Sequence, residues 1–220
     1  MFDYRAKVIH SRKPVEQNHD NEFNHETRQG GNRVKLLCAE YLPDGAGGHV
    51  ILGDNALSRD NEDFYIPPFA TRLSCVPQLF FRVNKLGKGV APRFARRYVG
   101  EGGAAIRFYA DNLLDEARAT GLPPDAAMGF DRAIAISTAR ELPDNPCYAL
   151  EVNGARVFSG RLLDLPCTLE HHVAALSAYY LLKVGDLIFT GNLFRYSPLR
   201  PGDRLRAFID DDCLIDIFIL

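Results

Sequence analysis

The sequence contains no tryptophan, only two methionines and no long apolar run. Of its 220 residues, 46% are apolar and 25% are charged, which is ordinary for a globular protein. No stretch approaches the roughly 18 consecutive apolar residues that a membrane helix requires, so we expect no membrane span. The first residues, MFDYRAKVIHSRK, carry charges where a secretory signal peptide has its apolar region. We therefore expect a cytoplasmic protein.

Paired cysteine motifs and an excess of charge of one sign are also missing. The five cysteines are scattered, and no C-x-x-C pair occurs, so neither a disulfide framework nor a zinc site is indicated. They are Cys38, Cys75, Cys147, Cys167 and Cys213. The formal net charge of -2 favours neither nucleic acid nor an anionic membrane as a partner. Reduced thiols in a cytoplasm fit this pattern best.

The chain divides by composition into two parts. Residues 1–33 are polar and contain few apolar residues. Such a segment cannot bury enough apolar surface to offset the entropy lost on ordering. We therefore predict a flexible N-terminal extension over 1–33 and a folded domain over 34–220.

The folded part shows several strand and helix patterns but no internal repeat and no βαβ rhythm. Asn153-Gly154 is a strong hairpin signal, and Gly121 is a helix stop. The predicted elements are a strand over 34–42, a strand within 78–88 ending in a hairpin at 85–89, a short helix over 90–99, a helix over 112–120, a hairpin over 147–162, a helix of about four turns over 168–186 and a hairpin over 205–220. Together they predict a strand-rich α+β fold.

Several motifs that suggest chemistry have a simpler explanation. GEGGAA, residues 100–105, matches the letters of a dinucleotide fingerprint but lacks the flanking strand and helix. The three acids at 210–212 are typical of a solvated turn. His171 and His172 are adjacent on a predicted helix, where neighbouring side chains point about 100° apart and cannot share one ion. We expect both histidines on the surface or at an interface.

The stretch VGDLIFTGNLFRYSPLRPGD, residues 184–203, is the most site-like part of the sequence. Two Gly-Asp turn signals flank a short apolar strand that ends in Thr190-Gly191. This order predicts the rim of a pocket.

Five stretches of the chain resemble the fumarylacetoacetate hydrolase family. They are FFRVNKLGK, GFDRAIAIS, ELPD, EVNGARVFSG and LKVGDLIFTGN with the later PGD. The resemblance covers residues 34–220 and is greatest to short bacterial acylpyruvate or fumarylpyruvate hydrolases and hydroxyheptadienedioate isomerases. It implies a mixed β-roll or sandwich that binds one Mg²⁺ or Mn²⁺, which grips a 2-oxo acid. It also implies dimers.

The residues that the resemblance assigns to the metal are replaced in this chain. A Glu-x-Glu pair would fall on Val76 and Gln78, an aspartate on Arg107 and a substrate-binding lysine on Met128. The loop that would carry a histidine is shortened to CAEYLPDGAGG, which has none. Three anionic ligands thus become neutral, neutral and cationic, which removes most of the affinity for a hard cation. We predict no metal ligand, no resident cofactor and no catalytic residue.

The resulting prediction is a pseudoenzyme that has lost the Mg/Mn-dependent site for 2-oxo acids and serves as a binding or assembly subunit. The expected ligand is a small 2-oxo acid or dicarboxylate, bound by Arg107, Thr190 and Gly191. The expected assembly is a homodimer or a heteromer with an active relative.

Two alternatives keep an active hydrolase or isomerase on acylpyruvate-type acids. In one, Arg107, together with Arg132, supplies the positive charge of the missing ion. Against it, Arg107 would simply pair with Glu101 or Asp111. In the other, Mg²⁺ or Mn²⁺ is held by relocated ligands, for which the candidate acids are Glu101, Asp111, Asp115 and Glu116.

Overall fold

The computed structural model describes residues 34–41, 47–191 and 193–220, so the predicted extension over 1–33 lies outside it. The described residues confirm the strand-rich α+β class. The strands are β1 (Leu36–Tyr41), β2 (Gly47–Leu52), β3 (Leu57–Ser58), β4 (Leu73–Val83), β5 (Val99–Ala110), β6 (Ile134–Ile136), β7 (Cys147–Val152), β8 (Ala155–Arg161), β9 (Leu187–Phe189), β10 (Arg204–Ile209) and β11 (Asp212–Phe218). The α-helices are α1 (Asp111–Thr120), α2 (Asp125–Met128) and α3 (Leu169–Tyr179).

The strands form two sheets. The larger has the order β2-β1-β9-β4-β5-β6-β3, with β1 parallel to β9 and β3 parallel to β6. The smaller has the order β11-β10-β7-β8 and is antiparallel. Apolar side chains from both sheets pack in one core, for example Phe108 of β5 with Leu150 of β7 and Ile217 of β11. The mixed β-sandwich that the resemblance implies is therefore confirmed.

The antiparallel pair of β4 and β5 is the longest in the molecule and carries the candidate site. Because side chains alternate across a strand, Ile106 and Phe108 enter the core between the sheets, while Arg107 and Tyr109 face the other side. There Tyr109 packs with Met128 and other apolar residues of α1 and α2. The two helices thus cover the outer face of β5.

The predicted hairpin at 85–89 was wrong. Strand β4 ends at Val83, and a connection over 84–98 that contains a 3₁₀ helix (Pro92–Tyr98) replaces the expected tight hairpin. In addition, GEGGAA lies inside β5. A Cβ at Gly102 would approach the backbone oxygen of Phe80 to 2.4 Å, so the glycines permit close approach of neighbouring strands.

Both other hairpins are confirmed. Asn153 and Gly154 have φ values of 51° and 84°, as the tight turn between β7 and β8 requires. Asp210, with φ of 53°, turns the chain from β10 into β11, and its carboxylate accepts a hydrogen bond from the backbone of Cys147 at 3.1 Å. Asp210 and Asp211 are therefore turn residues, as predicted, whereas Asp212 is the first residue of β11.

The predicted helices over 112–120 and 168–186 are confirmed as α1 and α3, whereas that over 90–99 is a 3₁₀ helix and α2 was not predicted. Helix α1 ends at Gly121, whose φ of 71° gives the left-handed cap that the sequence predicted. Helix α3 begins after Thr168, whose side chain accepts from the backbone N–H of His171. It ends at Tyr179, well before residue 186, because Tyr180 is extended and Leu182 pairs with Gly87.

The two Gly-Asp pairs are turns that precede β9 and β10. Gly185 and Gly202 have φ values of 94° and 91°, which favour glycine. The Asp186 carboxylate is fully buried and accepts from the backbone N–H groups of Lys35 and Lys183 at 2.9 and 2.8 Å. The two Gly-Asp pairs therefore have a structural role, as the turns that lead into β9 and β10.

Among the described helices, none is long and apolar enough to span a membrane.

Candidate functional site

A cavity of about 370 Å³ opens at the end of β1. An adjoining cavity of about 400 Å³ shares Glu40, Tyr41, Arg118 and Arg195 with it and extends to Met128. The first cavity is lined by Ala39, Glu40, Tyr41, Val76, Tyr109, Arg118, Leu193 and Arg195. Its wall thus combines charged, aromatic and apolar groups from several strands.

The structure brings together the positions that the resemblance assigns to the metal and its substrate. Val76 of β4 lies directly opposite Arg107 of β5, and Gln78 lies two residues further along β4, on the same face. Met128 of α2 packs in one apolar cluster with Val76. These residues therefore form one site beneath the cavity wall.

Arg107 is the central charge of this site. Its side chain is fully buried, and its Nη1 donates to the carboxylate of Glu40. The Tyr109 hydroxyl donates to the same carboxylate at 3.1 Å, and the Arg107 guanidinium lies 4.9 Å from the Tyr109 ring. Glu40, whose side chain is 27% exposed, therefore connects the buried cation to the cavity.

The protonation states of the buried groups follow from burial and from the cation. Burial by itself lowers the pKa of Arg107, but its neighbours, chiefly Tyr109, raise it by more, so the guanidinium stays charged. Burial raises the pKa of the Cys38 thiol to about 11 and also raises the pKa of the Tyr109 phenol. Both groups are neutral at pH 7, which leaves Arg107 facing Glu40.

The donor set does not fit a divalent magnesium or manganese ion, which requires several oxygen ligands, largely carboxylates. Val76 has no ligand atom, Arg107 is a cation, and the amide oxygen of Gln78 accepts from the backbone N–H of Gly191 at 3.3 Å. Glu40, a carboxylate at the site, is already bound by Arg107 and Tyr109. In the described part of the chain, no group of three or more histidine, cysteine or acidic side chains forms a metal site.

The predicted partners of Arg107 were wrong. Glu101 pairs with Arg82 at 3.4 Å, and Asp111 pairs with Arg195 at 3.0 Å. Glu40 was missed because it lies 67 residues away in sequence. No local signal identified it, since the contact depends on the order of strands in the sheet.

The other proposed charges are also engaged elsewhere. Arg132, suggested as a companion to Arg107, pairs with Glu62 at 3.0 Å and lines a different cavity. Asp115 pairs with Arg72 at 2.5 Å on the exposed side of α1, and its neighbour Glu116 is exposed. The acids considered as relocated ligands are therefore dispersed.

Thr190 and Gly191, predicted to form the rim of the pocket, are buried beside Gln78 and are not among the residues that line the two cavities. The Thr190 hydroxyl is fully buried and bonds to both the backbone N–H and the carbonyl of Leu79 at 3.2 Å. Gly191 has φ of 68°, and a Cβ there would lie 2.7 Å from the carbonyl oxygen of Ala39. Their role in substrate binding remains a prediction.

Arg195 is a site residue that the sequence did not suggest. Its guanidinium lies 3.9 Å from the Tyr109 ring centre and donates to both Asp111 and Ser74 at 3.0 Å. This stacking fixes Arg195 in the cavity wall. No motif marks it, because its partners lie far away in sequence.

The expectation that His172 lies on the surface or at an interface was wrong. It is buried, and its Nε2 lies 2.6 Å from the Tyr41 hydroxyl, while its Nδ1 lies 3.1 Å from Nε2 of His49. Burial and then the nearby His49 and His171 lower the pKa of His172 to about 4. Its spacing of four residues from the buried Leu176 was the available signal.

Comparisons with known proteins agree with the fold. No protein-family model matches the chain. It is 28% identical over 161 residues to an uncharacterized protein of Pyrococcus abyssi, covering 71% of this chain and 72% of that protein. It is 27% identical over 125 residues to oxaloacetate tautomerase of Escherichia coli. That match covers 54% of this chain and 57% of the tautomerase, so more than a third of the relative is unmatched.

Solved structures share the architecture. A candidate fumarylpyruvate hydrolase from Burkholderia cenocepacia superposes with a TM-score of 0.77 at 25% identity, covering 84% of this chain and 87% of that one. The fumarylpyruvate hydrolase from Pseudomonas aeruginosa, in complex with Mn²⁺ and pyruvate, gives 0.78 at 18% identity over 86% and 89% of the chains. The second likeness shows the fold alone. Together with the sequence matches, these findings show that the chain is similar in fold and sequence to proteins of the fumarylacetoacetate hydrolase family.

Proposed function

We propose that this chain is a non-catalytic member of the family that has lost the Mg/Mn-dependent hydrolysis or isomerisation of 2-oxo acids. The observation that carries the proposal is the pair of Val76 and Arg107 across β4 and β5. It replaces two anionic ligand positions by an apolar side chain and a buried cation. A divalent ion would meet repulsion here in a low-dielectric environment, where charges interact more strongly than in water.

We further propose that the cavity retains a binding function for a small 2-oxo acid or dicarboxylate. Arg107 supplies the positive charge, and Thr190 and Gly191, buried beside Gln78, contribute to ligand binding. The related fold of the Pseudomonas aeruginosa hydrolase holds Mn²⁺ and pyruvate, which supports the choice of ligand size and class. In this chain the carboxylate would be bound by the protein without an ion.

A second candidate is a metal-independent isomerase on acylpyruvate-type acids. It is favoured by the fixed cation of Arg107 and by Tyr41, which lines the cavity and contacts His172. A preorganised cation stabilises the negative charge that develops on an enolate oxygen. The Tyr41 phenol and His172 would move the proton. This candidate requires turnover that persists without any divalent ion.

The test is an assay of acylpyruvate hydrolysis and isomerisation with Mg²⁺, with Mn²⁺ and with a chelator. We expect no turnover in any condition. Turnover that the chelator abolishes would contradict the proposal. Turnover that resists the chelator and disappears in Arg107→Ala would favour the metal-independent isomerase.

We also propose that the protein acts in the cytoplasm as a homodimer or as a heteromer with an active relative. Sedimentation of the purified chain measures the first, and co-purification with a catalytically active family member measures the second. A chain that sediments as a monomer and retains no relative would contradict both forms of assembly.

A further inference from the structure

The guanidinium of Arg107 is only partly used within the described residues. Nη1 binds Glu40, while the buried Nε and Nη2 have no hydrogen-bond partner there. In Arg204 the corresponding nitrogens, Nε and Nη2, donate to the two carboxylate oxygens of Asp216 at 2.7 and 2.6 Å. This contact shows that the Nε/Nη2 edge of an arginine can bind one carboxylate through two hydrogen bonds. The free edge of Arg107 is therefore the edge that binds a carboxylate through two parallel bonds.

Gln78 contributes a third free donor. The backbone N–H of Gly191 can only donate, so the Gln78 oxygen must face it, at 3.3 Å. This fixes the orientation of the amide and leaves Nε2, which is buried and lacks an acceptor among the described residues. Gln78 and Arg107 lie on the same sheet face, since Arg107 is paired with Val76, two residues from Gln78.

Three buried donors without an acceptor are costly, since each unsatisfied group destabilises a protein by about 1–3 kcal/mol. We propose that a small carboxylate completes this arrangement, held by Nε and Nη2 of Arg107 and by Nε2 of Gln78. Its planar pair of oxygens matches the arginine edge, and its charge matches the cation. The inference rests on the proposed function in placing the ligand in the same cavity.

Access to this edge is controlled by one layer of side chains. Val76, Glu40 and Tyr109 line the cavity of about 370 Å³, and the same three residues surround Arg107 through strand pairing, an ion pair and ring contact. A ligand places its carboxylate beyond this layer and leaves its remaining atoms in the cavity. The proposed binding therefore requires these side chains to move, because Arg107 and Gln78 are buried and do not line the cavity.

Glu40 is a positioning residue in this arrangement. Glu40 binds Nη1 of Arg107. The edge formed by Nε and Nη2 therefore faces away from Glu40, the one carboxylate among the described residues that binds Arg107. The Tyr109 hydroxyl holds Glu40 in turn, at 3.1 and 3.2 Å from the two carboxylate oxygens. Glu40 thus occupies Nη1 of Arg107, and the edge formed by Nε and Nη2 is left for the carboxylate of the ligand.

The test measures binding of pyruvate to the full chain by calorimetry in chloride-free, phosphate-free buffer. We expect saturable binding at one pyruvate per chain. Arg107→Lys keeps the charge but not the two parallel donors, and we expect affinity at least tenfold lower. Gln78→Glu keeps the oxygen that faces Gly191 and brings a carboxylate to the arginine edge, so we expect binding to disappear without loss of thermal stability. Gln78→Met removes one donor and should weaken binding less.

Wild-type affinity in Gln78→Glu would overturn the inference, as would saturable binding of chloride or phosphate in place of pyruvate. Absence of any pyruvate binding would overturn it as well. These failures are distinguishable from failure of the proposed function, since chelator-sensitive turnover is assayed independently. A chain that neither binds pyruvate nor turns over acylpyruvates refutes the carboxylate site and the binding role proposed for the cavity, but not the proposed loss of catalysis.

Discussion

Two charged side chains are fully buried, and their surroundings differ. The Asp186 carboxylate receives two backbone N–H groups and the ammonium group of Lys35, at 2.9, 2.8 and 2.5 Å. The Arg107 guanidinium donates to one carboxylate, and two of its nitrogens have no hydrogen-bond partner among the described residues. Both side chains are at most 1% exposed, so burial does not distinguish them.

The number of hydrogen-bond partners distinguishes Asp186, whose charge has a structural role, from Arg107, whose charge we propose to bind a ligand. A buried charge that is complete within the chain fixes a turn, and Asp186 fixes the entry to β9. A buried charge that is incomplete costs stability unless something else completes it. Arg107 is therefore expected to contribute little to folding and much to binding.

The largest effect is expected at the structural charge. Asp186→Ala leaves the ammonium of Lys35 and two backbone donors unpaired, and we expect a loss of about 3–5 kcal/mol in the free energy of unfolding. Urea denaturation measures it. The control is Asp212→Ala, which removes an exposed pair with Arg140 and should cost below about 1 kcal/mol. Equal losses of stability in Asp186→Ala and Asp212→Ala would contradict a special structural role for the buried charge of Asp186.

A buried neutral histidine extends the comparison to pH. Because the pKa of His172 is lowered to about 4, its unfolded state binds a proton below about pH 6.5 while the folded state does not. Stability should therefore fall as the pH falls from 6.5 towards 4, by about 2 kcal/mol between pH 7 and pH 5.

Urea denaturation at the two pH values measures this loss. His172→Gln should show a smaller dependence, whereas His171→Gln, at an exposed position, should retain most of the wild-type slope. A slope unchanged in His172→Gln would show that other groups govern the pH response.

Thr190 is expected to have a structural role as well. Thr190→Val keeps the shape of the side chain but removes the hydroxyl that binds Leu79, so we expect a loss of about 1–3 kcal/mol in stability. Thr138→Val, at an exposed position, should change stability by less than about 0.5 kcal/mol. A Thr190→Val protein with wild-type stability and weakened ligand binding would instead give Thr190 a direct role in binding.

The smallest effect on stability is expected at Arg107 itself. Arg107→Met removes the two unpartnered donors, and Glu40 can be rehydrated from the cavity because its side chain is 27% exposed. We expect a change of less than about 1 kcal/mol, since unsatisfied groups disappear with the charge. Denaturant unfolding measures it. A loss as large as that of Asp186→Ala would make Arg107 a structural residue.

The sequence predicted turns and helix ends well, because these features depend on the backbone preferences of a few neighbouring residues. The Asn153-Gly154 turn and the Gly121 cap are confirmed, because each depends on the φ preferences of one or two residues. Strand β5 was missed, since glycines are poor strand formers, and those at 102 and 103 instead allow close packing against β4 and Ser137.

The site was predictable only in part. The resemblance placed Val76, Gln78 and Arg107 together, and strand pairing brings them to one face. The pairing of Arg107 with Glu40 depends on β1 and β5 lying in the same sheet, which no local pattern determines. The free edge of Arg107 follows from the geometry of hydrogen bonds, and sequence carries no signal for it.

The central claim is that the metal site has been replaced by a protein cation. The most direct measurement is calorimetric titration of Mn²⁺ into chelator-treated full-length protein without substrate. The account predicts no saturable binding up to millimolar concentrations. Binding of one ion per chain with a dissociation constant below about 1 mM, or a binding free energy near -4 kcal/mol, would contradict it.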